Sequence, residues 1–327
     1  MQIVNHPKQY MKYYFAPMEG ITGYLYRRVH HNFFPGMDKY FTPFLSPGPK
    51  KVLTDREIRD ILPENNTQMY IVPQILTNRA EDFIRVEKEL ERYGYREVNF
   101  NLGCPSGTVT AKKKGAGFLE YTEDLKRFLD EVFQKPCLEI SIKTRIGKED
   151  PEEFAQLLHI YNQYPLKELI IHPRVQTDYY RNTPNKEVFA EAVKNSKNPV
   201  CYNGDLFDLE KCQAFETEFP QVDICMLGRG LLVNPALVRE LKGGKMLEKQ
   251  ELREFHDALC REYEAVMSGD RNVLFKMKEL WFYMGHLFEE NKKQMKKIKK
   301  AQKLSDYMEA VDSLFEEGKF YAQGTFQ

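Results

Sequence analysis

The sequence contains few cysteines, and their spacing does not suggest a metal site or a disulfide framework. Six cysteines are scattered over 327 residues, no two of them form a CxxC pair, and no histidine-rich stretch accompanies them. This spacing argues against a zinc site and against a disulfide-stabilised secreted domain, and it is typical of a reducing compartment. We therefore expect no bound metal.

Long apolar runs are also missing. No apolar stretch approaches the roughly 18 residues that a membrane-spanning helix needs. The first residues, MQIVNHPKQYMKYY, lack the basic and then apolar layout of a signal peptide. We expect a soluble, cytoplasmic protein that makes no contact with a membrane.

The chain has no excess of charge of either sign. It carries 48 lysines and arginines against 48 aspartates and glutamates, so its formal net charge is zero. A general polycation is excluded. Any binding to nucleic acid must come from local basic patches.

Apolar and β-branched runs recur at fairly even intervals along the first two thirds of the chain. Most are separated by segments with helical periodicity, several of which open with Thr, Asp or Pro. Eight strands alternating with helices predict a parallel TIM (β/α)8 barrel. The eight runs are YYFAPM (13–18), KYFTPF (39–44), QMYIVPQI (68–75), REVNFNLG (96–103), CLEISIKTRI (137–146), KELIIHPR (167–174), PVCYNGD (199–205) and DICMLGRG (223–230).

The pattern changes after Gly243 and Gly244. Residues 248–317 are helix-forming throughout and contain no proline. This texture predicts a separate all-α bundle of three or four helices. We expect a barrel domain over residues 1–244 and a helical domain over residues 245–327.

Polar residues are concentrated where the predicted strands end. In a TIM barrel these ends and the loops after them carry the chemistry. The residues at these ends are Met18, Glu19, Gln74, Asn101, Cys104, Lys143, Arg145, His172, Arg174, Asn203, Asp205, Gly228 and Arg229.

The last two predicted strands end in short glycine-containing segments, 203–205 and 228–230, and each precedes a helix. Glycine lets a backbone approach a ligand, free N–H groups bind anions, and Arg229 adds a positive fork. These loops predict a phosphate cradle, with ordinary strand-to-helix turns as the alternative. A Rossmann site is the weaker reading, because GAGFLE and GRGLLV lack the third glycine of its motif.

Lys143 and Arg145 alternate with one residue between them, so both point to the same face of their strand. Two cations inside a barrel favour an anionic or electron-rich ligand, such as a reduced flavin. The alternative is that they reach out to solvent at the barrel rim. His172, at the next strand end, is either a hydrogen-bonding ligand residue or a satisfied core histidine.

Cys104 stands between Gly103 and Pro105, which force a turn and place the thiol at the predicted barrel mouth. As a nucleophile it would need a lowered pKa. As a general acid it must keep its proton, as an ordinary thiol does at neutral pH. Spacing along the sequence leaves both roles open.

Basic runs occur at three places in this neutral chain. NKKQMKKIKKAQK (291–303) holds seven lysines and no acid, on a predicted helix whose Met295 and Ile298 face inward. The other runs are 112–114 and 27–28. Each run alone could be a solvated surface, but together they suggest a track for a phosphate backbone that leads to the barrel mouth.

Six segments, in order and spacing, resemble the bacterial tRNA-dihydrouridine synthase family. The resemblance spans nearly the whole chain and is most specific at the cysteine. The segments are APMEGITG (16–23), NLGCPSGTVTAKKKGAGFL (101–119), IKTRIG (142–147), IIHPR (170–174), YNGD (202–205) and LGRG (227–230).

The resemblance implies an FMN-dependent oxidoreductase with a TIM barrel and a helical bundle. Such an enzyme reduces the C5–C6 double bond of particular uridines in tRNA with NADPH or NADH as reductant. The tRNA partner would be bound by the helical domain and the lysine track. The flavin-binding residues implied in this way are Pro17, Met18, Glu19, Gln74, Lys143, His172, Asn203, Gly204, Asp205, Gly228 and Arg229.

The resemblance also assigns the substrate side of the site. Cys104 would give a proton to C5 of the uracil as a thiol, while Asn101, Arg145 and His172 would position the base. Pro173 departs from the small residue that commonly follows this histidine, and VQTDYYRN after it is less typical. The loop that faces the substrate is therefore expected to be reshaped.

Other functions remain open from sequence. The same chemistry could act on ribosomal RNA or on a free pyrimidine. A flavin-free RNA-binding barrel and a cysteine hydrolase are further alternatives. We expect a monomer.

Overall fold

A computed structural model describes residues 11–48, 51–324 and 326. The N-terminal segment that we interpret as lacking a signal peptide lies largely outside these residues. Among the described residues, no helix combines the length and the apolar character needed to cross a membrane.

Eight parallel strands close into a barrel in the order of the sequence, which confirms the predicted fold class. Each of the eight predicted runs overlaps one strand. The strands are β1 (Lys12–Phe15), β2 (Lys39–Leu45), β3 (Ile71–Ile75), β4 (Glu97–Leu102), β5 (Glu139–Arg145), β6 (Leu169–His172), β7 (Val200–Tyr202) and β8 (Ile224–Leu227).

Helices surround the barrel and follow most of its strands. They are α1 (Tyr24–Phe33), α2 (Asp55–Ile61), α3 (Ala80–Arg92), α4 (Gly107–Thr110), α5 (Thr122–Val132), α6 (Glu153–Tyr161), α7 (Lys186–Asn195), α8 (Leu209–Glu218), α9 (Arg229–Val233) and α10 (Leu237–Leu241). Short 3-10 helices cover Pro63–Asn65, Gly115–Phe118, Gln176–Asp178 and Gly285–Leu287.

Four more helices follow the barrel: α11 (Lys249–Val266), α12 (Asp270–Met284), α13 (Lys292–Lys300) and α14 (Leu304–Glu317). A two-stranded antiparallel sheet of β9 (Phe288–Glu289) and β10 (Lys319–Phe320) accompanies them, which the sequence did not suggest. The predicted boundary at residue 244 falls in the segment between α10 and α11. It stays a prediction.

Strand β4 shows how the alternation of residues builds the barrel. Val98, Phe100 and Leu102 are fully buried and face outward, where Phe100 stacks on Phe128 of α5 at 4.6 Å between ring centroids. The intervening polar residues point inward because successive side chains of a strand alternate between its two faces. The barrel interior therefore carries polar groups toward its mouth.

The helical part packs against the barrel through aromatic side chains. Phe255 of α11 meets Tyr26 of α1 edge-on, with ring centroids 5.9 Å apart, and meets Phe34 at 5.2 Å. On α12, the ammonium of Lys276 donates a hydrogen bond to the carbonyl of Gly20 in the loop after β1. Helices α11 and α12 therefore lie beside the barrel mouth.

Candidate active site

A cavity of about 90 Å³ opens at the carboxyl ends of the strands. Ten of the residues predicted for the site line it: Pro17, Met18, Lys143, Arg145, His172, Asn203, Gly204, Asp205, Gly228 and Arg229. Further lining residues include Tyr180 and Phe207. The structure thus brings together side chains that are up to 212 positions apart, from Pro17 to Arg229.

Lys143 reaches this cavity from the inner face of β5. Burial lowers the pKa of its ammonium to about 8, and the nearby charge of Arg145 adds to the effect. Its ammonium forms no hydrogen bond or ion pair with any residue in the described ranges. An enclosed cation without a partner is costly, so this site favours an anionic or electron-rich ligand.

His172 is neutral. Burial lowers the pKa of its imidazole well below the ordinary value, and the cations Arg145 and Lys143 lower it further. Its Nδ1 lies 2.6 Å from the carbonyl oxygen of Asn203 and therefore carries the proton. Its Nε2 lies 3.3 Å from Nη1 of Arg174 and accepts from it. The ring is held in one orientation at the edge of the cavity.

The loops after β7 and β8 present unused backbone donors. The N–H groups of Gly204, Asp205, Gly228 and Arg229 make no hydrogen bond within the described part of the chain. Asp205 has a φ of 38°, which turns the chain sharply after Gly204. A Cβ on Gly204 would lie 2.8 Å from the hydroxyl of Tyr202, so only glycine fits there. These loops have the geometry of an anion cradle.

Arginine and aspartate side chains brace the cradle. The carboxylate of Asp205 forms an ion pair with Arg174 and another, at 2.7 Å, with Arg229. The guanidinium of Arg229 is also surrounded by aromatic rings, with centroids at 4.8 Å for Phe207 and 4.9 Å for Tyr180. Arg229 is thereby fixed in place beside the backbone donors.

Asn101 and Gln74 do not line the cavity. Nδ2 of Asn101 donates to Oε1 of Gln74 at 2.7 Å, and Nε2 of Gln74 donates to Oδ1 of Asn99 at 2.7 Å. Nδ2 of Asn99 in turn donates to the hydroxyl of Ser141 at 2.9 Å. These residues form a buried chain of hydrogen bonds across the barrel interior, below the cysteine loop.

Cys104 sits in a turn that this chain supports. Its backbone N–H donates to Oδ1 of Asn101 at 2.9 Å, and its carbonyl accepts from the N–H of Ala116 at 3.0 Å. Gly115 has a φ of +55°, and a Cβ there would lie 2.8 Å from the carbonyl oxygen of Cys104. Burial raises the pKa of the Cys104 thiol, so the group is protonated at neutral pH.

Arg145 uses its guanidinium to join two loops. It donates to the carbonyl of Gly103 at 3.0 Å, to that of Val175 at 2.9 Å and to that of Tyr179 at 2.6 Å. Its pKa falls to about 10 because it is buried. The cysteine loop and the loop after β6 are therefore tied to one another through this side chain.

Glu19 lies outside the cavity lining. Its carboxylate forms an ion pair with Arg56 at 2.8 Å, and its side chain is 38 % exposed. It lines a neighbouring pocket instead.

Some functional features could not be read from the sequence. Tyr180 lies over Arg145 with 5.6 Å between the ring centroid and the guanidinium carbon, and it also lies over Arg229. The only signal was a tyrosine pair in the unusual loop after His172. The backbone of that loop is held by Arg174, which donates to the carbonyl of Asn182 at 2.6 Å.

The basic runs differ in how far their side chains are exposed. All six lysines of α13 are exposed, and none forms an ion pair with a described residue. Ile298 faces inward as predicted. Counting Arg27 as part of a basic surface was wrong, because its side chain is buried and donates to the carbonyl of Thr22 at 2.8 Å.

Within the ranges that the structure describes, no group of three or more His, Cys, Asp or Glu side chains could hold a metal ion. The cavity combines an anion cradle with an unpaired ammonium, and the protonated thiol of Cys104, which does not itself line the cavity, follows directly after the lining residue Gly103. Backbone donors at the ends of the seventh and eighth strands are typical of the class of TIM-barrel proteins that bind a phosphorylated ligand there.

The family model for dihydrouridine synthase matches residues 14–323. The chain is also 24 % identical over 240 residues to tRNA-dihydrouridine synthase B of Pasteurella multocida, covering 73 % of this chain and 70 % of that protein. It is 26 % identical over 261 residues to a probable tRNA-dihydrouridine synthase of Staphylococcus aureus, covering 76 % and 77 %. The chain belongs to the dihydrouridine synthase family and is a flavin-dependent oxidoreductase.

Two solved structures share the fold. The old yellow enzyme from Trypanosoma cruzi superposes with a TM-score of 0.51 at 10 % identity, covering 77 % of this chain and 93 % of that one. A 2-naphthoyl-CoA reductase superposes with a TM-score of 0.54 at 11 % identity, covering 71 % and 50 %. At these identities the likeness concerns the barrel alone.

The donor set fits a flavin with a phosphate. The free N–H groups after β7 and β8 suit the phosphate, and the unpaired ammonium of Lys143 suits an electron-rich ring system. The cavity volume is below the roughly 300 Å³ of typical ligand pockets, so the mouth must open for the ring. Tyr180, a loop residue that is 59 % exposed, lines the cavity at this point.

Proposed function

We propose that the protein is an FMN-dependent tRNA-dihydrouridine synthase that uses NADPH and has Cys104 as its proton donor. The family assignment and the names of the related proteins support the reaction and the tRNA substrate. One observation carries the assignment of the acid: a thiol whose pKa is raised by burial follows directly after Gly103, which lines the cavity that holds the anion cradle. A hydrolase nucleophile would need the opposite shift.

The cofactor would occupy the cavity with its phosphate on the backbone donors. Gly204, Asp205, Gly228 and Arg229 supply those donors, and the ion pair with Asp205 keeps Arg229 beside them. Asn203 donates from Nδ2 to the carbonyl of Met226 at 2.8 Å and so braces the seventh strand end against the eighth. We assign the phosphate to these two loops because their backbone N–H groups are the unused donors, whereas the side chain of Asn203 is already hydrogen-bonded.

The ring system would lie deeper, against Pro17, Met18 and His172, with Lys143 as hydrogen-bond donor. Gln74 donates to Asn99 and accepts from Asn101, which leaves one of its amide hydrogens unused; because Gln74 does not line the cavity, it would hold the flavin site from below through this chain. Glu19 belongs to the same loop as Met18 but faces away from the cavity. Its part in flavin binding would be to hold that loop through Arg56.

When bound, the reduced flavin supplies the hydride that is added to C6 of the uracil. Cys104 then gives its proton to C5, so that the hydride and the proton together saturate the double bond. The thiolate regains a proton from solvent. Because the pKa of the Cys104 thiol is raised, this acid is protonated before the reaction.

Positioning of the uracil falls to the groups around the thiol. Asn101 fixes the backbone of the cysteine turn, and Arg145 fixes that turn against the loop after β6. Neutral His172 lines the cavity, where its Nε2 would exchange the 3.3 Å hydrogen bond from Arg174 for one from the base. A base must leave its stack to reach this depth, which costs least in an unpaired tRNA loop, and we propose the D-loop.

The decisive experiment compares dihydrouridine in tRNA from cells with and without this protein and then restores the reaction with purified components. We expect purified protein to carry FMN, to be bleached by NADPH, with NADH tested beside it, and to convert uridine in a tRNA transcript. Conversion of ribosomal RNA or a free pyrimidine in place of tRNA would redirect the proposal to those substrates. A colourless protein without FMN would refute it.

A further inference from the structure

We propose that a second pocket, next to the catalytic cavity, binds one unpaired nucleotide of the RNA that lies beside the target uridine. This inference rests on the proposed function, because it assumes an RNA substrate. The pocket has a volume of about 260 Å³. Its lining includes Ile21, Leu25, Arg56, Arg59, Val266 and Met267.

One loop separates the pocket from the cavity. Pro17 and Met18 line the catalytic cavity, while Glu19 and Gly20, the next two residues, line the second pocket. Glu19 is near enough to Cys104 for its charge to influence the thiol. If one base of an RNA occupied the cavity, an adjacent nucleotide of the same RNA would therefore lie within reach of the pocket.

The walls of the pocket suit a flat, mostly apolar ring. Ile21 and Leu25 come from the barrel, and Val266 and Met267 come from the end of α11. Val266 is 51 % exposed, although it is an apolar residue at the end of a helix. Exposed apolar surface in a concave position between two parts of a protein is typical of a binding site.

The rim carries groups that match a nucleotide. Arg59 is exposed, and its guanidinium has no ion-pair partner in the described ranges. Arg56 is held by Glu19, and the ammonium of Lys276 is anchored on the carbonyl of Gly20. A phosphate on these cations places the attached base over the apolar wall. The carboxylate of Glu19 is an acceptor for a base N–H.

An exposed aromatic residue extends the surface. Phe275 of α12 is 68 % exposed, and the ammonium of Lys276 lies 5.6 Å from its ring centroid. Single-stranded nucleic acid is bound by this combination of aromatic faces and cations, whereas paired bases have no free face to stack. The pocket therefore selects an RNA loop with unstacked bases over a duplex.

The test fills the pocket without touching the cavity. Val266→Trp places a large ring in the pocket from an exposed helix end, and Val266→Ala is the matched control that leaves it open. Dissociation constants are measured for a tRNA transcript and for transcripts in which each nucleotide flanking the target uridine is made abasic. We expect Val266→Trp to weaken binding about tenfold, with the control within about twofold, and flavin reduction by NADPH to be unchanged.

The abasic series decides which contact is lost. In the wild type, one flanking abasic position should weaken binding about tenfold, and in Val266→Trp the same change should have no further effect. Arg59→Glu tests the same pocket by removing the cation at its rim. Its control is Arg92→Glu, at an exposed arginine of α3. The proposal for the pocket would be overturned if Val266→Trp and the wild type bound the tRNA transcript with equal affinity, or if the abasic change weakened binding equally in both.

The two proposals fail differently. If the wild type modifies tRNA while Val266→Trp and Arg59→Glu bind it as the wild type does, the pocket is wrong and the function stands. If the wild type binds the transcript but forms no dihydrouridine, the reaction is wrong and the binding series still decides the pocket. If the wild type does not bind the transcript, both are overturned.

Discussion

The side-chain oxygen of Asn101 accepts the backbone N–H of Cys104 at 2.9 Å and that of Gly103 at 3.0 Å. The same side chain is anchored from below by Gln74. Asn101 thus joins the buried polar chain of the barrel to the turn that carries the thiol. Its influence on the reaction follows from holding that turn.

Asn101→Ala should therefore impair catalysis more than it impairs folding. Removing the acceptor leaves two N–H groups of the cysteine turn without their partner, which costs about 1–3 kcal/mol of stability. We expect FMN binding to persist, uridine reduction to fall about 100-fold, and alkylation of Cys104 to become faster. These are measured by flavin absorbance, turnover and mass spectrometry.

Asn185→Ala is the control for this variant. Asn185 also accepts a backbone N–H, that of Val188 at 3.0 Å, but it does so at the start of α7. Loss of the Asn185 side chain should lower stability without changing the rate at which Cys104 is alkylated. Equal losses of activity in both variants would show that Asn101 has only a structural role.

Cys104→Ala should separate the two halves of the reaction. Because the thiol gives a proton to the uracil and does not hold the cofactor, flavin content and reduction by NADPH should stay at wild-type levels. Uridine reduction should fall by about 100- to 10,000-fold, the usual contribution of a general acid. Stopped-flow absorbance and dihydrouridine mapping measure the two steps.

The exposed Cys137 supplies the matched substitution for this prediction. Cys137→Ala should keep both half-reactions. Loss of FMN from the Cys104 variant, or an unchanged rate of uridine reduction, would contradict the role assigned to the thiol.

The barrel and the inward polar faces of its strands could be predicted because they depend on local alternation. Lys143 and Arg145 are two positions apart, so their shared face follows from strand geometry alone. The glycine-containing loops after β7 and β8 were likewise recognisable by their position. The cavity lining confirms that these loops meet.

Contacts between distant residues could not be predicted in the same way. The sequence shows that Arg145 points inward, but not that its donors are used by the carbonyls of Gly103, Val175 and Tyr179. Arg27 looks like surface charge beside Arg28, yet it is buried against the carbonyl of Asp60, 33 positions away. Such outcomes depend on tertiary partners.

Lys143 should make flavin binding depend on pH. Its pKa is lowered from 10.5 to about 8, so in the ligand-free protein the ammonium is lost as pH rises past 8. A bound anion favours the charged form, and binding above pH 8 must take up a proton. FMN affinity should therefore fall with increasing pH in this range, as measured by titrating flavin-free protein.

The same group has the opposite effect on folding. Between pH 8 and 10.5 the unfolded chain holds a proton at Lys143 that the folded, ligand-free chain does not, so this residue makes stability rise with pH there. Lys143→Met should remove both trends and weaken FMN binding at neutral pH. A wild-type FMN affinity that stays constant across pH 8 would contradict the assignment.

The lysines of α13 should control the salt dependence of tRNA binding. With Ile298 facing inward, Lys293, Lys296 and Lys300 form the outermost stripe of this helix. Each phosphate contact contributes about 0.7–0.9 to the slope of log K against log salt concentration. Changing all three to Ala should reduce that slope by about 2 or more and leave the turnover of bound tRNA intact.

The control changes Lys12, Lys135 and Lys167, which lie at or before the starts of β1, β5 and β6, at the opposite end of the barrel. If both triple variants keep the wild-type slope, α13 does not touch the tRNA backbone.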